Sequence, residues 1–226
     1  NCGGVCQGEV KKVFYTKMIS EIKSIFNFNP EPALKSLIKR RNFHAKNLEF
    51  EKCQELQFRI SALQELIKKI EPLRLNKIKN DLKEIGDNLK LKSTPLIIES
   101  FDNSHTSGSD GVACSIRFVM GKPEKSSYRK FIIKTAKVGD DYSSFEEVLE
   151  RRFTRILKEK TQLPDLVIMD GGKAQLSVAQ SIFNKLGIKI DVIGLSKDER
   201  HKARWIHLTN GETIDLFKVP NYALLG

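Results

Sequence analysis

An apolar segment from Leu163 to Met169 ends directly at Asp170 and is followed by Gly171-Gly172. Its length and its bounding residues predict a buried strand, and the paired glycines predict a turn into a helix that begins at Lys173. A strand with few polar side chains needs cover on both of its faces. The segment therefore predicts an α/β domain in which helices flank a sheet.

The rest of the second half of the chain agrees with this fold class. Ser143, three residues before Glu146, forms a capping box that predicts a helix to about Lys160, and a second helix is predicted over 173–186. Apolar and alternating segments predict four more strands, at 95–101, 111–120, 128–135 and 188–195. Strands that come first in a run and then alternate with helices predict a mixed sheet with helices on its faces.

The first half of the chain predicts a helical hairpin. One helix is expected to begin near Pro30, and a turn is expected around residues 46–48. The second helix carries apolar residues at steps of four and three, and Pro72 is expected to end it; the apolar residues are Leu56, Ile60, Leu63, Ile67 and Ile70. Phe50 and Phe58 lie outside this seam, so the hairpin either packs on its own domain or docks on another protein.

These patterns divide the chain into four segments. Residues 1–29 contain the end of a cysteine-rich segment and a lead-in helix, and residues 30–71 form the hairpin. Residues 72–92 are predicted to be a linker, and residues 93–226 form the α/β domain. No apolar run approaches the roughly 20 residues of a membrane span, so we expect no membrane partner.

Two aspartates end strands of the predicted sheet at the same edge. Asp102 follows the first strand and Asp170 follows the buried strand. If these strands are neighbours, their backbones lie about 4.8 Å apart, and two carboxylates at that separation repel each other unless a cation or a proton lies between them. The pattern predicts a Mg²⁺ or Mn²⁺ site that supports phosphodiester hydrolysis. The alternative is that both aspartates are ordinary turn residues.

The formal net charge of +11 favours a polyanionic partner such as nucleic acid. Arg151 and Arg155 share one face of the predicted long helix, with Arg152 beside them, and Lys173 follows the paired glycines where a phosphate could bind. These four residues are predicted to contact DNA. The alternative is a solvated basic face.

The four cysteines do not suggest a disulfide framework in a chain of this length. Cys53 and Cys114 are predicted to be small core residues. Cys2 and Cys6 form a Cys-x-x-x-Cys pair, which supplies only half of the ligands that a metal or iron–sulfur centre needs.

Several motifs in the second half resemble the UvrC family, the incision subunit of the bacterial nucleotide excision repair complex. They occur in the family's order and are Phe101-Asp102-Asn103-Ser104-His105-Thr106, Gly139-Asp140-Asp141-Tyr142, Met169-Asp170-Gly171-Gly172-Lys173-Ala174-Gln175 and Gly194-Leu195-Ser196-Lys197-Asp198. In the first half, residues 47–51 and 64–66 resemble the UVR hairpin that contacts UvrB, and residues 2–6 resemble the end of the family's cysteine cluster.

The resemblance implies an RNase H-like nuclease domain that cuts damaged double-stranded DNA on the 5′ side of a lesion with a divalent metal. It implies that Asp102 and Asp170 hold the metal and that Asp141 is a further acidic residue needed for cleavage. It also implies UvrB binding through about residues 31–70, an iron–sulfur centre at Cys2 and Cys6, and a cytoplasmic protein.

The resemblance also indicates what this stretch of sequence lacks. The family's GIY-YIG nuclease domain and its downstream catalytic histidine motif have no counterpart here, and His201 and His207 lie at different motif positions. His105 follows the first strand closely enough to approach the site, but we expect it to be structural. We therefore expect a fragment of a longer protein with weak or no activity by itself. Two other functions remain open: a non-catalytic adaptor that binds DNA and UvrB, and a transposase-like member of the RNase H fold.

Overall fold

The computed structural model describes residues 12–26, 29–104, 111–134 and 140–225, without the side chains of Phe14, Ser104 and Asp141. The chain divides into two compact units, Asn1–Lys77 and Ile78–Gly226. The predicted iron–sulfur ligands Cys2 and Cys6 lie outside the described residues, as does His105, for which a structural role is expected. None of the described helices combines the length and the apolar character that crossing a membrane requires.

The first unit is helical. Helix α1 (Lys12–Phe26) is followed by α2 (Glu31–Lys46) and by the first part of α3 (Phe50–Asn88). A short turn joins α2 to α3, and Arg41 on α2 donates a 2.7 Å hydrogen bond to the Gln57 side chain on α3. The seam residues Leu56, Ile60 and Leu63 are buried. The two helices and the turn between them are therefore confirmed.

Pro72 lies inside α3, so the prediction that it ends the helix is wrong. A proline inside a helix removes one hydrogen bond and costs about 3 kcal/mol. Beyond it, Leu82, Ile85 and Leu89 are almost completely buried in the core of the second unit. Each such burial contributes about 1.5–3 kcal/mol, so the packing outweighs the proline. The segment expected to be a linker is therefore helical as far as Asn88.

An eight-stranded mixed sheet forms the centre of the second unit, in the order β3-β2-β1-β5-β6-β7-β8, with β4 also paired to β2. The three central strands β1, β5 and β6 are parallel, and the other pairings are antiparallel. The strands are β1 (Ile97–Ser104), β2 (Val112–Val119), β3 (Lys122–Pro123), β4 (Arg129–Ile132), β5 (Leu166–Asp170), β6 (Asp191–Lys197), β7 (Ala203–His207) and β8 (Thr213–Asp215). The mixed sheet and all five predicted strands are confirmed, whereas β3, β7 and β8 were not predicted.

Both faces of the sheet are covered by apolar side chains. Helices α4 (Asp141–Glu159) and α5 (Lys173–Leu186) contribute to one core cluster, and the end of α3 and the C-terminal segment contribute to the other. The capping-box prediction for α4 is wrong in position, because Asp140 is the N-cap and its Oδ1 accepts the Ser143 backbone N–H at 3.0 Å. Helix α5 has the predicted bounds.

Candidate metal centre at the edge of the sheet

The structure brings Asp102 and Asp170 together on neighbouring strands. Strands β1 and β5 run parallel with Phe101 opposite Met169, so the next residues, Asp102 and Asp170, lie side by side at the carboxyl edge. The two carboxyl groups are close enough for the negative charge of Asp170 to act on Asp102. Asp102 and Asp170 therefore lie close together, as predicted. The pair is at the edge where parallel α/β sheets bind ligands.

The two carboxyl groups differ in their electrostatic surroundings. Partial burial raises the pKa of Asp102, and the negative charge of Asp170 raises it further. Asp170 accepts a 2.9 Å hydrogen bond from Lys197 Nζ at the end of β6. The same bond and the charge of Asp170 raise the pKa of Lys197. Lys197 is thus the cation that offsets part of the negative charge at this edge.

Close packing against β6 positions the turn that carries Asp170. Gly194 faces this turn, and a Cβ atom there would lie 2.9 Å from the Gly171 carbonyl oxygen and 3.1 Å from that of Gly172. The Gly171 N–H donates to the Leu195 carbonyl at 3.0 Å, and the Gly172 N–H donates to Gln175 Oε1 at 3.0 Å. The backbone next to Asp170 is therefore anchored to both β6 and α5.

Two carboxylates on adjacent strands fit a Mg²⁺ or Mn²⁺ ion. Mg²⁺ is commonly bound by one or two carboxylates plus water and substrate phosphates, and the mutual repulsion at Asp102 is what a cation between the groups would relieve. Within the described ranges, no three or more His, Cys, Asp or Glu side chains are grouped closely enough to hold a metal ion. Asp141 is the first residue of α4, but its side chain lies outside the description.

Two other titratable groups lie near the acidic pair. Cys114 is opposite Asp102 in the β1–β2 register, and burial followed by the charge of Asp102 raises the pKa of its thiol. The His207 ring lies within hydrogen-bonding distance of Ser196 Oγ at 2.8 Å and of Thr213 Oγ1 at 3.1 Å. Burial and the charge of Lys173 lower the pKa of His207. These contacts favour a structural role for His207, which sequence analysis also left unassigned.

Three of the four predicted DNA-binding residues are accessible to solvent. The Arg151 side chain is 41% exposed and the Arg155 side chain is 63% exposed, and both pair with glutamates on α4. Lys173 is exposed at the start of α5. The Arg155–Glu159 pair is exposed on both sides and therefore weak, so Arg155 can exchange its partner for a phosphate. Arg151 is held more firmly, because its partner Glu147 is only 10% exposed and its guanidinium also donates to the Ile132 carbonyl at 2.9 Å.

Arg152 does not fit the DNA-binding role that sequence analysis gave it. Its guanidinium is buried and donates two hydrogen bonds to the Glu99 carboxylate, at 2.7 and 3.1 Å. Glu99 is completely buried on β1, and Arg117 on β2 lies 3.5 Å from the same carboxylate. Arg152 is therefore part of an internal ion-pair network rather than of the surface.

Sequence analysis missed the contributions of Lys197 and Gly194 to this edge. Both lie in the segment Gly194 to Asp198, which was recognised only as part of a resemblance. The usable signal was that Lys197 ends the third parallel strand, at the edge where the aspartates end theirs.

Residues 86–223 match the family model described as the UvrC RNase H endonuclease domain. Among curated relatives, the UvrABC system protein C of Streptococcus uberis is 42% identical over 147 residues, which cover 65% of this chain and 24% of the relative. The UvrABC system protein C of Bacteroides fragilis is 46% identical over 121 residues, covering 54% of this chain and 20% of the relative. The chain therefore spans about a quarter or less of the length of these relatives.

The similarity to solved structures is more distant. Endonuclease V of Ciona intestinalis, bound to DNA containing an inosine, aligns at a TM-score of 0.36 and 11% identity, covering 59% of this chain and 76% of that chain. The Argonaute of Marinitoga piezophila in complex with a guide RNA aligns at a TM-score of 0.32 and 14% identity, covering 51% of this chain and 18% of that chain. Similarities of this size carry no weight for function. The match to the family model is the informative one, because it covers more than half of the chain and includes the acidic edge. The chain therefore belongs to the UvrC RNase H endonuclease domain family.

Proposed function

We propose that this chain contains the part of an excision-repair endonuclease that hydrolyses a DNA phosphodiester on the 5′ side of a lesion. The observation that supports this best is the pair formed by Asp102 and Asp170, in which partial burial and then the negative charge of Asp170 raise the pKa of Asp102. The +11 net charge agrees with a DNA substrate, and a DNA substrate in turn implies a cytoplasmic location in bacteria.

In the proposed site, Asp102 and Asp170 hold Mg²⁺ or Mn²⁺. When bound, such a metal supplies Lewis-acid stabilisation for in-line displacement at phosphorus. Lys197 orients Asp170 through their 2.9 Å hydrogen bond and places a positive charge beside the pair, where a DNA phosphate would approach. Asp141, at the first position of α4, is the further acidic residue of the site.

Metal binding tests this proposal without relying on activity. Isothermal titration calorimetry with Mn²⁺ should show binding to the unmodified chain and none to Asp170→Asn, because the variant keeps the shape of the side chain but loses its charge. Glu199→Gln is the matched control, since Glu199 is an exposed carboxylate in the β6–β7 connection. Equal Mn²⁺ binding by all three proteins would reject the acidic pair as the metal centre and would favour a non-catalytic adaptor.

The exposed basic residues are proposed to hold the DNA backbone. Arg151, Arg155 and Lys173 lie on α4 and at the start of α5, and α4 lines a groove with a volume of about 1170 Å³. Each phosphate contact that is lost should reduce the salt dependence of DNA affinity by about one counterion. Fluorescence anisotropy at several salt concentrations should show a shallower slope for Arg155→Ala than for the unmodified chain.

The hairpin at about residues 31–70 is proposed to bind UvrB. Three phenylalanines of α2 and α3 are strongly exposed: Phe43 is 63%, Phe50 is 71% and Phe58 is 76% accessible. Large exposed apolar side chains of this kind are typical of docking surfaces. A pull-down should retain UvrB with the unmodified chain and lose it with the double variant Phe50→Ala/Phe58→Ala, and undiminished retention would reject this interface. Cys2 and Cys6 remain proposed ligands of an iron–sulfur centre in the longer protein.

A further inference from the structure

Four side chains near the start of β7 and after β8 form an exposed group that the proposed chemistry does not use. We call Arg204, Trp205, Phe217 and Tyr222 the aromatic patch. Its rings are partly open to solvent, with Trp205 41%, Phe217 49% and Tyr222 38% exposed. Apolar rings that remain exposed in a folded domain require an explanation, and binding surfaces are the common one.

The aromatic patch is held in a fixed arrangement. The Arg204 guanidinium carbon lies 4.8 Å from the Phe217 ring centroid and 5.6 Å from the Trp205 centroid, and the Phe217 and Tyr222 rings meet edge to face at 5.1 Å. The Asp215 carboxylate accepts a 2.7 Å hydrogen bond from Arg204 and a 3.0 Å bond from the Phe217 backbone N–H. Asp215 therefore fixes both the cation and the neighbouring ring.

The aromatic patch is continuous with the acidic edge. Lys197, which binds Asp170, also lines a cavity of about 400 Å³ together with Arg204 and Trp205. Strands β5 and β7 are separated only by β6, which is two strand spacings or roughly 10 Å. That separation corresponds to about three stacked nucleotides at roughly 3.4 Å each.

The charges around the aromatic patch favour an anionic ligand. Arg200, Lys202 and Lys218 are exposed around it, in addition to Arg204 and Lys197. Of the acidic residues nearby, Asp198 accepts hydrogen bonds from the Arg200 and Lys202 backbone N–H groups, and Asp215 is paired with Arg204. Glu199 is the remaining acid that lines the cavity.

We propose that the aromatic patch stacks an unpaired base of the DNA strand, two or three nucleotides from the phosphodiester held at Asp102 and Asp170. This inference rests on the proposed nuclease function and specifies how its substrate strand is positioned. Exposed rings beside an arginine stack on bases of any sequence, whereas bases within a duplex have both faces covered by their neighbours. The ligand is therefore a single-stranded or locally opened segment of DNA.

Trp205 is the only tryptophan in the chain, so its fluorescence reports on this surface directly. We would titrate the full chain with a twelve-nucleotide oligothymidine in EDTA, which removes metal binding from the readout. The expected result is quenching of Trp205 fluorescence, with an affinity about 5- to 150-fold weaker for Phe217→Ala, as expected for the loss of one base-stacking contact. A duplex of the same length should quench less.

Two further variants make the result interpretable. Phe217→Leu keeps an apolar side chain of similar size, so it should fold normally and still lose affinity through the missing ring. Tyr15→Ala removes an aromatic residue of comparable exposure, 39%, from α1 and should leave the titration unchanged. Both variants are compared with the unmodified chain by their thermal unfolding midpoints.

The proposal is overturned if oligothymidine leaves Trp205 fluorescence unchanged, or if both Phe217 variants bind as tightly as the unmodified chain. Either result would also follow if a protein segment rather than DNA covers this surface. Failure here leaves the nuclease proposal intact, because Mn²⁺ binding at Asp170 is measured separately. Conversely, an Asp170→Asn variant that loses Mn²⁺ binding should retain the Trp205 quenching.

Discussion

Replacing Arg152 with methionine should strongly destabilise the second unit. The substitution retains an unbranched side chain that fills similar space, but it removes both hydrogen bonds to Glu99, at 2.7 and 3.1 Å. Glu99 is fully buried, so its carboxylate would be left with Arg117 at 3.5 Å as its nearest cation. Breaking a buried pair from one side typically costs about 3–5 kcal/mol.

Thermal unfolding followed by circular dichroism measures this loss. For a domain of this size, about 3–5 kcal/mol corresponds to a decrease in the unfolding midpoint of roughly 6–20 °C. Arg155→Met is the matched control on the same helix, because Arg155 is 63% exposed and its pair with Glu159 contributes little. The control should change the free energy of unfolding by less than about 0.5 kcal/mol.

A double variant separates the ion pair from the packing. In Glu99→Leu/Arg152→Met neither charge of the main pair is left buried, and Arg117 retains Glu124 at 3.4 Å. The double variant should therefore be more stable than Arg152→Met alone, because the penalty of an unpaired buried carboxylate is gone. The reasoning is refuted if Arg152→Met is no less stable than Arg155→Met, or if the second substitution adds to the loss instead of reducing it.

Three further predictions concern the acidic edge and the end of α3. Gly194→Ala should lower the free energy of unfolding, measured by chemical denaturation, by about 1–3 kcal/mol and should weaken Mn²⁺ binding, because the new Cβ would lie 2.9 Å from the Gly171 carbonyl oxygen. Gly172→Ala is the control and should be nearly neutral, because nothing lies within 4 Å of a Cβ at that position. Asp102→Asn should raise the thermal unfolding midpoint of the metal-free protein at neutral pH. The pKa of Asp102 is higher in the folded chain than in the unfolded chain, so the unmodified chain loses stability as the pH rises from the unfolded pKa through the folded pKa. The variant should not show this decline, because it has no carboxyl group at this position. Ile85→Ala should cost about 2–5 kcal/mol, since Ile85 is fully buried, and a loss below 1 kcal/mol would show that the end of α3 is not part of the core.

Local sequence patterns were sufficient for much of the second unit. The apolar run before Asp170 and the paired glycines specified both β5 and the start of α5, because a buried strand and a glycine turn each have a local signature. The rule that ligands bind at the carboxyl ends of parallel strands then placed Asp102 and Asp170 at one edge, but whether their two strands are neighbours was left open until the structure.

Elements whose stability depends on distant contacts were not predicted. Strands β7 and β8 are short and partly exposed, and they gain their place by pairing to β6 and to each other. Helix α3 continues through Pro72 because burial of Leu82 and Ile85, ten or more residues further along, stabilises it by more than the proline costs. Propensity alone cannot weigh such packing.

Arg152 is a different case, because the signal was present in the sequence. It lies four residues after Val148 and four before Ile156, on the same side of α4, and both of those residues are buried. Helical periodicity therefore placed Arg152 on the inner face, whereas Arg151 and Arg155 lie toward solvent. The DNA-binding prediction for Arg152 was based on its charge and not on its position on the helix.

The hydrogen bond between Lys197 and Asp170 gives the acidic edge a positive charge of its own, in addition to that of the proposed metal. An ammonium group at 2.9 Å already neutralises one carboxylate, so the domain can reach its native state before any divalent ion arrives. Folding and loading are thereby uncoupled. In the proposed function, a shortage of the ion would stop hydrolysis while the domain stays folded, and hydrolysis would resume once the ion returned.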